Sequence, residues 1–115
     1  VRNVCDERHE HKERVSKIKA ELETKEIVEK MVKLLRACAD ETRLKILIAL
    51  SKANLCTCDL SEILSLSSSA ISHQLRVLKL SSLVDSIRIG KQVVYRLKDR
   101  HVLELISSAL EHAKE

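Results

Sequence analysis

A chain of 115 residues with one glycine and no proline contains almost nothing that interrupts a helix. Both residues disfavour helix interiors, by about 1 and 3 kcal/mol relative to alanine, so their scarcity favours long uninterrupted helices. The lone glycine, Gly90, stands between two segments that alternate as strands do, Ser86-Ile87-Arg88-Ile89 and Val93-Val94-Tyr95-Arg96-Leu97. Gly90-Lys91 therefore reads as a two-residue hairpin turn. The expected fold is mainly α with a small β-hairpin, and 115 residues make one domain.

Helical periodicity fills the rest. Residues 1–14 are polar, show no apolar period and read as a flexible arm. From Val15 onward Ile18, Leu22, Ile27, Val28, Met31, Val32, Leu34 and Leu35 recur at spacings of three and four, with Thr24 capping a second helix. Asp40 starts the next helix, whose Leu44, Leu47, Ile48 and Leu50 point inward. Asp59-Leu60-Ser61-Glu62 resembles a capping box that opens a short helix through Ile63 and Leu64. Ser67 or Ser68 caps another, with Ile71, Leu75 and Leu78 on one face and Ser69, Ser72, His73, Gln74 and Arg76 on the other. The hairpin occupies about 84–98. A last helix, about 99–114, starts at Asp99 and turns Val102, Leu105, Ile106, Ala109 and Leu110 inward.

Charge and composition narrow the function. The net charge is +4, yet the segment from Ser68 to Lys98 carries six basic residues and one acid. All of the excess is concentrated there, and a local basic surface on a small domain suits a polyanion, DNA first. Tyr95 is the only aromatic residue, which excludes single-strand binders built on stacking platforms. No apolar run approaches the ~20 residues of a membrane helix, so the chain reads as cytoplasmic with no membrane partner. Its four cysteines are then first metal ligands, redox thiols or core residues. Cys38, on an apolar helix face, reads as core. The chain has no His-Glu-x-x-His motif and too little polypeptide for a substrate cleft, which argues against an enzyme and a small-molecule substrate.

A short helix, a tight connection and a second helix with small polar residues outside describe a helix-turn-helix, and a basic hairpin behind it is a wing. Ser68, Ser69, Ser72, His73, Gln74 and Arg76 are the candidates for the major groove, Arg88 and Lys91 for the wing. Three segments carry a family resemblance. Ala39-Asp40-Glu41-Thr42-Arg43-Leu44-Lys45-Ile46-Leu47, the stretch from Ser68 to Leu78, and Ile87-Arg88-Ile89-Gly90-Lys91-Gln92-Val93-Val94-Tyr95 resemble the opening helix, recognition helix and wing of the ArsR–SmtB family of metal-responsive repressors. The match spans roughly Val28 to Glu115. It departs at Ser81-Ser82, where the family usually ends the recognition helix with glycine. The resemblance implies a homodimeric winged helix-turn-helix repressor that binds a palindromic operator and is released by metal.

Two candidate metal sites follow. His101 and His112 lie 11 residues apart, on one helix face but ~16 Å apart along the axis, so one ion with ~2.1 Å bonds cannot take both from one helix. An antiparallel copy brings His101 of one chain beside His112 of the other. Glu115 lies on the side of His112, and Asp99 can fold towards His101. Asp99, His101, His112 and Glu115 match in full the pattern of the family's carboxy-terminal-helix zinc site. The second site is thiol-based. Cys56-Thr57-Cys58 precedes a helix, and Cys5 and His9 lie in the arm. The resemblance joins Cys5, His9, Cys56 and Cys58 across subunits, with Asp59 or His11 as further candidates. Zinc is the expected ion, with cadmium, lead or cobalt as alternatives. A thiol redox switch on Cys56 and Cys58 is the alternative mechanism.

Overall fold

The computed structural model describes residues 8–115. In chain order the elements are α1 (Arg8–Glu21), α2 (Lys25–Cys38), α3 (Glu41–Leu50), β1 (Leu55–Cys56), α4 (Thr57–Leu64), α5 (Ser68–Leu80), β2 (Val84–Ile89), β3 (Gln92–Leu97) and α6 (Arg100–Lys114). The chain divides into a unit ending at Lys30 and a second unit, Met31–Glu115.

Within the first unit, α1 starts at Arg8, so residues 8–14 are helical where the absence of an apolar period suggests an arm. The helix buries none of its side chains. Its Arg, Glu and Lys residues are strong helix formers, and His9 Nε2 lies 3.1 Å from Glu13 Oε1 one turn on. Local propensity thus supplies what burial does not. Thr24 starts α2 as expected, its hydroxyl accepting from the Ile27 amide at 3.4 Å.

The second unit is built around one apolar cluster. Ile46 and Leu47 of α3, Leu60 of α4, Ile71, Leu75 and Leu78 of α5, and Leu83 and Val84 at the entry to β2 are fully buried; Val102 and Ile106 of α6 and Ala37 of α2 join them. Removing such a leucine from water contributes about 1.5–3 kcal/mol. Asp40 caps α3 through the Arg43 amide (3.0 Å), Ser67 caps α5 through that of Ala70 (3.1 Å), and Asp99 caps α6 through that of Val102 (3.2 Å). Each oxygen satisfies one of the four orphan donors at a helix start.

The α4 cap differs from expectation. The helix begins two residues before Asp59, with Cys56 at the N-cap and Asp59 in the first turn. The Asp59 carboxylate accepts from the Cys56 amide at 3.1 Å, so the acid serves as the far member of the capping arrangement. Ser65, with φ 56°, ends α4 in the left-handed region, and a short connection leads to α5.

The hairpin is antiparallel with Ile89 opposite Gln92, which makes Gly90-Lys91 the two-residue turn. Of the two only Gly90 has positive φ, 63°, as such a turn demands. The sheet has a third strand: Leu55 and Cys56 pair with Tyr95 and Val94, giving the order β1-β3-β2. This edge strand ties the start of the α4–α5 pair to the hairpin. At the end of α5 Ser82 takes the left-handed conformation, φ 58°, where the family resemblance places glycine.

Candidate functional site

The exposed side of α5 is set by its buried side. With Ile71, Leu75 and Leu78 in the core, ~100° of rotation per residue turns Ser68, Ser69, Ser72, His73 and Arg76 outward, and all five are exposed. Small hydroxyls keep that face low enough for the helix to approach base edges, while Arg76 supplies a long charged donor. A groove of about 380 Å³ runs along this side, lined by Ser72, Leu75, Arg76, Lys79, Leu80 and Tyr95.

Sequence reasoning missed Lys79, Leu80 and Tyr95 here. Lys79 Nζ donates to Ser86 Oγ at 2.7 Å, which joins α5 to β2. Leu80 is 75% exposed. On the hairpin Arg88 and Lys91 are exposed, and among the described residues neither holds an ion pair. Arg96 lies 3.8 Å from Asp85 across the strand pair.

Gln74 does not join this set. It is half-buried on the opposite flank of α5, and its Oε1 accepts from Arg43 Nη1 at 3.1 Å. Its spacing of three from Ile71 and four from Leu78 places it on the core side, a signal already present in the sequence. The expected groove residue is held by the protein instead.

The candidate metal ligands fall into pairs. At the start of α6 His101 Nδ1 lies 3.7 Å from Asp99 Oδ1, and at its end His112 Nδ1 lies 3.7 Å from Glu115 Oε1. Two donors on a tetrahedral ion at ~2.1 Å stand ~3.4 Å apart, so each pair needs only a few tenths of an ångström to close. Both imidazoles are open, at 80% and 86% exposure. Among the described residues no three His, Cys, Asp or Glu side chains converge within the chain.

The thiols are held otherwise. Cys56 is half-buried at the junction of β1 and α4, Cys58 is exposed one residue into that helix, and neither forms a disulfide. The Cys56 amide, and then its thiol, hold the Asp59 carboxyl below its ordinary range. His9 lies exposed on α1. Cys5, the remaining member of this expected set, is outside the described residues. Cys38 packs against the core as expected, and burial pushes its thiol up, partly offset by the nearby Arg43 cation.

Comparison with known proteins gives these faces a context. Residues 40–86, from the α3 cap to β2, match the family described as bacterial regulatory protein, arsR family. The chain is 37% identical over 112 residues to the transcriptional repressor SmtB homolog of Synechocystis sp., covering 97% of this chain and 85% of that protein. The chain belongs to the arsR family. As an arsR-family member it is a transcriptional regulator with a winged helix-turn-helix, not an enzyme. It is 33% identical to the cadmium resistance transcriptional regulatory protein CadC homolog of Staphylococcus aureus, covering all of this chain and 95% of that one. Among solved structures it superimposes on HlyU from Vibrio cholerae with a TM-score of 0.75 and 33% identity, over 80% of this chain and all of the other. α5 and the hairpin are thus the second helix of the helix-turn-helix and the wing of an arsR-family fold. No helix among the described residues is long and apolar enough to cross a membrane.

Proposed function

We propose that this arsR-family regulator is a homodimeric repressor that holds a palindromic operator in its metal-free form and releases it when zinc binds. The observation that carries the reading is the placement of one histidine–carboxylate pair at each end of α6. A chain that offers two half-sites ~16 Å apart completes neither alone, and a second copy supplies the missing halves. Nitrogen and carboxylate donors suit Zn²⁺. Asp99 Oδ1 both caps the helix and is the oxygen that faces His101, so one carboxylate would serve the cap and the ion together.

Apolar side chains left uncovered in a single chain support the dimer: Met31, Val32 and Leu35 on α2, Leu103 and Leu105 on α6. Two recognition helices related by a twofold axis meet a palindrome. In DNA binding, Ser68, Ser69, Ser72, His73 and Arg76 face the groove while Arg88 and Lys91 hold the backbone. Regulation requires that zinc prefer the state that binds DNA less tightly, with reciprocal coupling of ~1–3 kcal/mol, or ~5–150-fold in affinity. The kinship with the cadmium resistance regulator supports a role for Cys5, His9, Cys56 and Cys58 as a second, softer set.

Substitution allocates the switch. His112→Ala should keep metal-free DNA binding and lose zinc release, and Cys56→Ser with Cys58→Ser should leave release intact. The reverse pattern moves the switch to the thiols, with cadmium, lead or cobalt as the ions to try next. Control by oxidant rather than by any ion would establish the thiol redox mechanism instead. Retention of zinc release in both variants would overturn both site assignments.

A further inference from the structure

Arg43 sits in the opening-helix motif, yet no part of the DNA face or of the metal pairs uses it. Its side chain is 20% exposed and reaches in three directions. Nε donates to the Ala37 carbonyl at 2.8 Å, Nη1 donates to Gln74 Oε1 at 3.1 Å, and Nη1 lies 3.9 Å from Asp40 Oδ2. Ala37 O is one of the last four carbonyls of α2, which have no partner inside their own helix. Gln74 belongs to α5. One planar guanidinium therefore spans the end of α2, the cap of α3 and the inner flank of the recognition helix. Its donors diverge in a fixed fork, so the bonds constrain direction as well as distance.

We propose that Arg43 and Gln74 form a positioning tie that sets the orientation of the recognition helix, and that Gln74 acts on DNA through this tie rather than on a base. A glutamine that reads adenine uses both ends of its amide, Oε1 towards the base amino group and Nε2 towards N7. Here Oε1 is engaged with a cation inside the protein. Gln74 also lies two residues from Arg76, ~200° around the helix, so the two side chains cannot enter one groove from one face. Charge-assisted bonds of this kind are the strong ones, and this one spans 31 residues of sequence. The proposal rests on the DNA-binding reading above.

The test uses the full chain, a labelled duplex from the region upstream of its own gene, and a series of that duplex with single base-pair changes. Binding is measured by anisotropy at 20 °C and fixed salt, with circular dichroism confirming that every variant is folded. Gln74→Leu should weaken the parent duplex by about tenfold, the loss of one charge-assisted bond, and weaken every member of the series alike. Gln74→Glu should bind within about threefold of wild type, because a carboxylate still accepts from Arg43. Arg43→Met combined with Gln74→Leu should be no weaker than the worse single variant, as for one shared interaction. Should Arg43→Met unfold, the two Gln74 variants and the series still decide. A Gln74→Leu effect confined to one base pair, or a Gln74→Glu as weak as Gln74→Leu, overturns the tie, as does Gln74→Leu lowering Tm without lowering affinity. Wild-type protein that binds no duplex overturns the regulator reading and the tie together, whereas wild-type binding with additive single effects overturns the tie alone.

Discussion

Asp99 is asked to do two things, and two substitutions separate them. Its Oδ1 caps α6 through the Val102 amide at 3.2 Å, and the same oxygen stands 3.7 Å from His101 in the proposed metal pair. Asparagine caps a helix about as well as aspartate but brings no charge, so Asp99→Asn forfeits only the charge–dipole contribution, ~0.3 kcal/mol at so exposed a position. Asp99→Ala forfeits the cap as well, ~1 kcal/mol in all. At ~4 °C per kcal/mol the metal-free Tm should fall by ~1 °C and ~4 °C respectively. Zinc binding instead treats the two variants alike. At a hundredfold excess over Kd, wild type gains ~2.7 kcal/mol and ~10 °C. A site weakened a hundredfold keeps only ~0.4 kcal/mol, or ~2 °C. Both variants should show that small gain. The assay is thermal denaturation by circular dichroism at one protein concentration, with zinc and with chelator. If Asp99→Asn lowers the metal-free Tm as far as Asp99→Ala, the cap assignment is wrong. If Asp99→Asn keeps the full zinc gain, the ligand assignment is wrong.

Arg76→Ala should weaken DNA binding with and without zinc alike, by about 1–3 kcal/mol, and relax the preference at the base pair it faces; an unchanged affinity removes Arg76 from the interface. Ser82→Gly, at the left-handed position that ends α5, should raise stability by up to ~1 kcal/mol in urea titration, and a destabilised variant would show that Ser82 carries no strain. Burial raises the Cys38 thiol pKa, so at pH 8.5 Cys58 should react with a thiol reagent on the order of tenfold faster, read by peptide mapping. The sign for stability follows: the folded chain keeps that proton longer than the unfolded one, so the contribution of Cys38 is full below the unfolded pKa and is lost as pH rises through the folded value. Equal labelling rates would contradict the buried placement.

Most of the second unit was legible because its signals are local. Ile71, Leu75 and Leu78 repeat at helical spacing behind a serine cap, Gly90 marks the hairpin turn, which needs positive φ, and Asp40 and Asp99 sit where caps belong. What escaped depends on partners far away or on side chains without a familiar role. Two residues, Leu55 and Cys56, show no period, and their pairing with Tyr95 and Val94 spans about forty residues of sequence. A thiol residue at an N-cap is not a usual signal, so the sequence points to the acid that follows, Asp59, as the cap. The helix at Arg8 has no apolar face to announce it. Gln74 suits base edges by residue type, whereas its angular position puts it on the half-buried flank of α5, where its Oε1 accepts from Arg43. The histidine–carboxylate pairs were legible as spacing, and their division between the two ends of α6 follows from helix rise alone.

In the proposed function zinc and operator DNA compete through this protein. The most direct measurement is anisotropy of a labelled duplex from the region upstream of its own gene, titrated with the full chain in reducing buffer. It is run at fixed salt, first with chelator and then with one to two equivalents of zinc per monomer. Tight binding in chelator, weakened at least fivefold by zinc and restored when chelator is returned, is the expected result. Binding of equal strength in both conditions would contradict it.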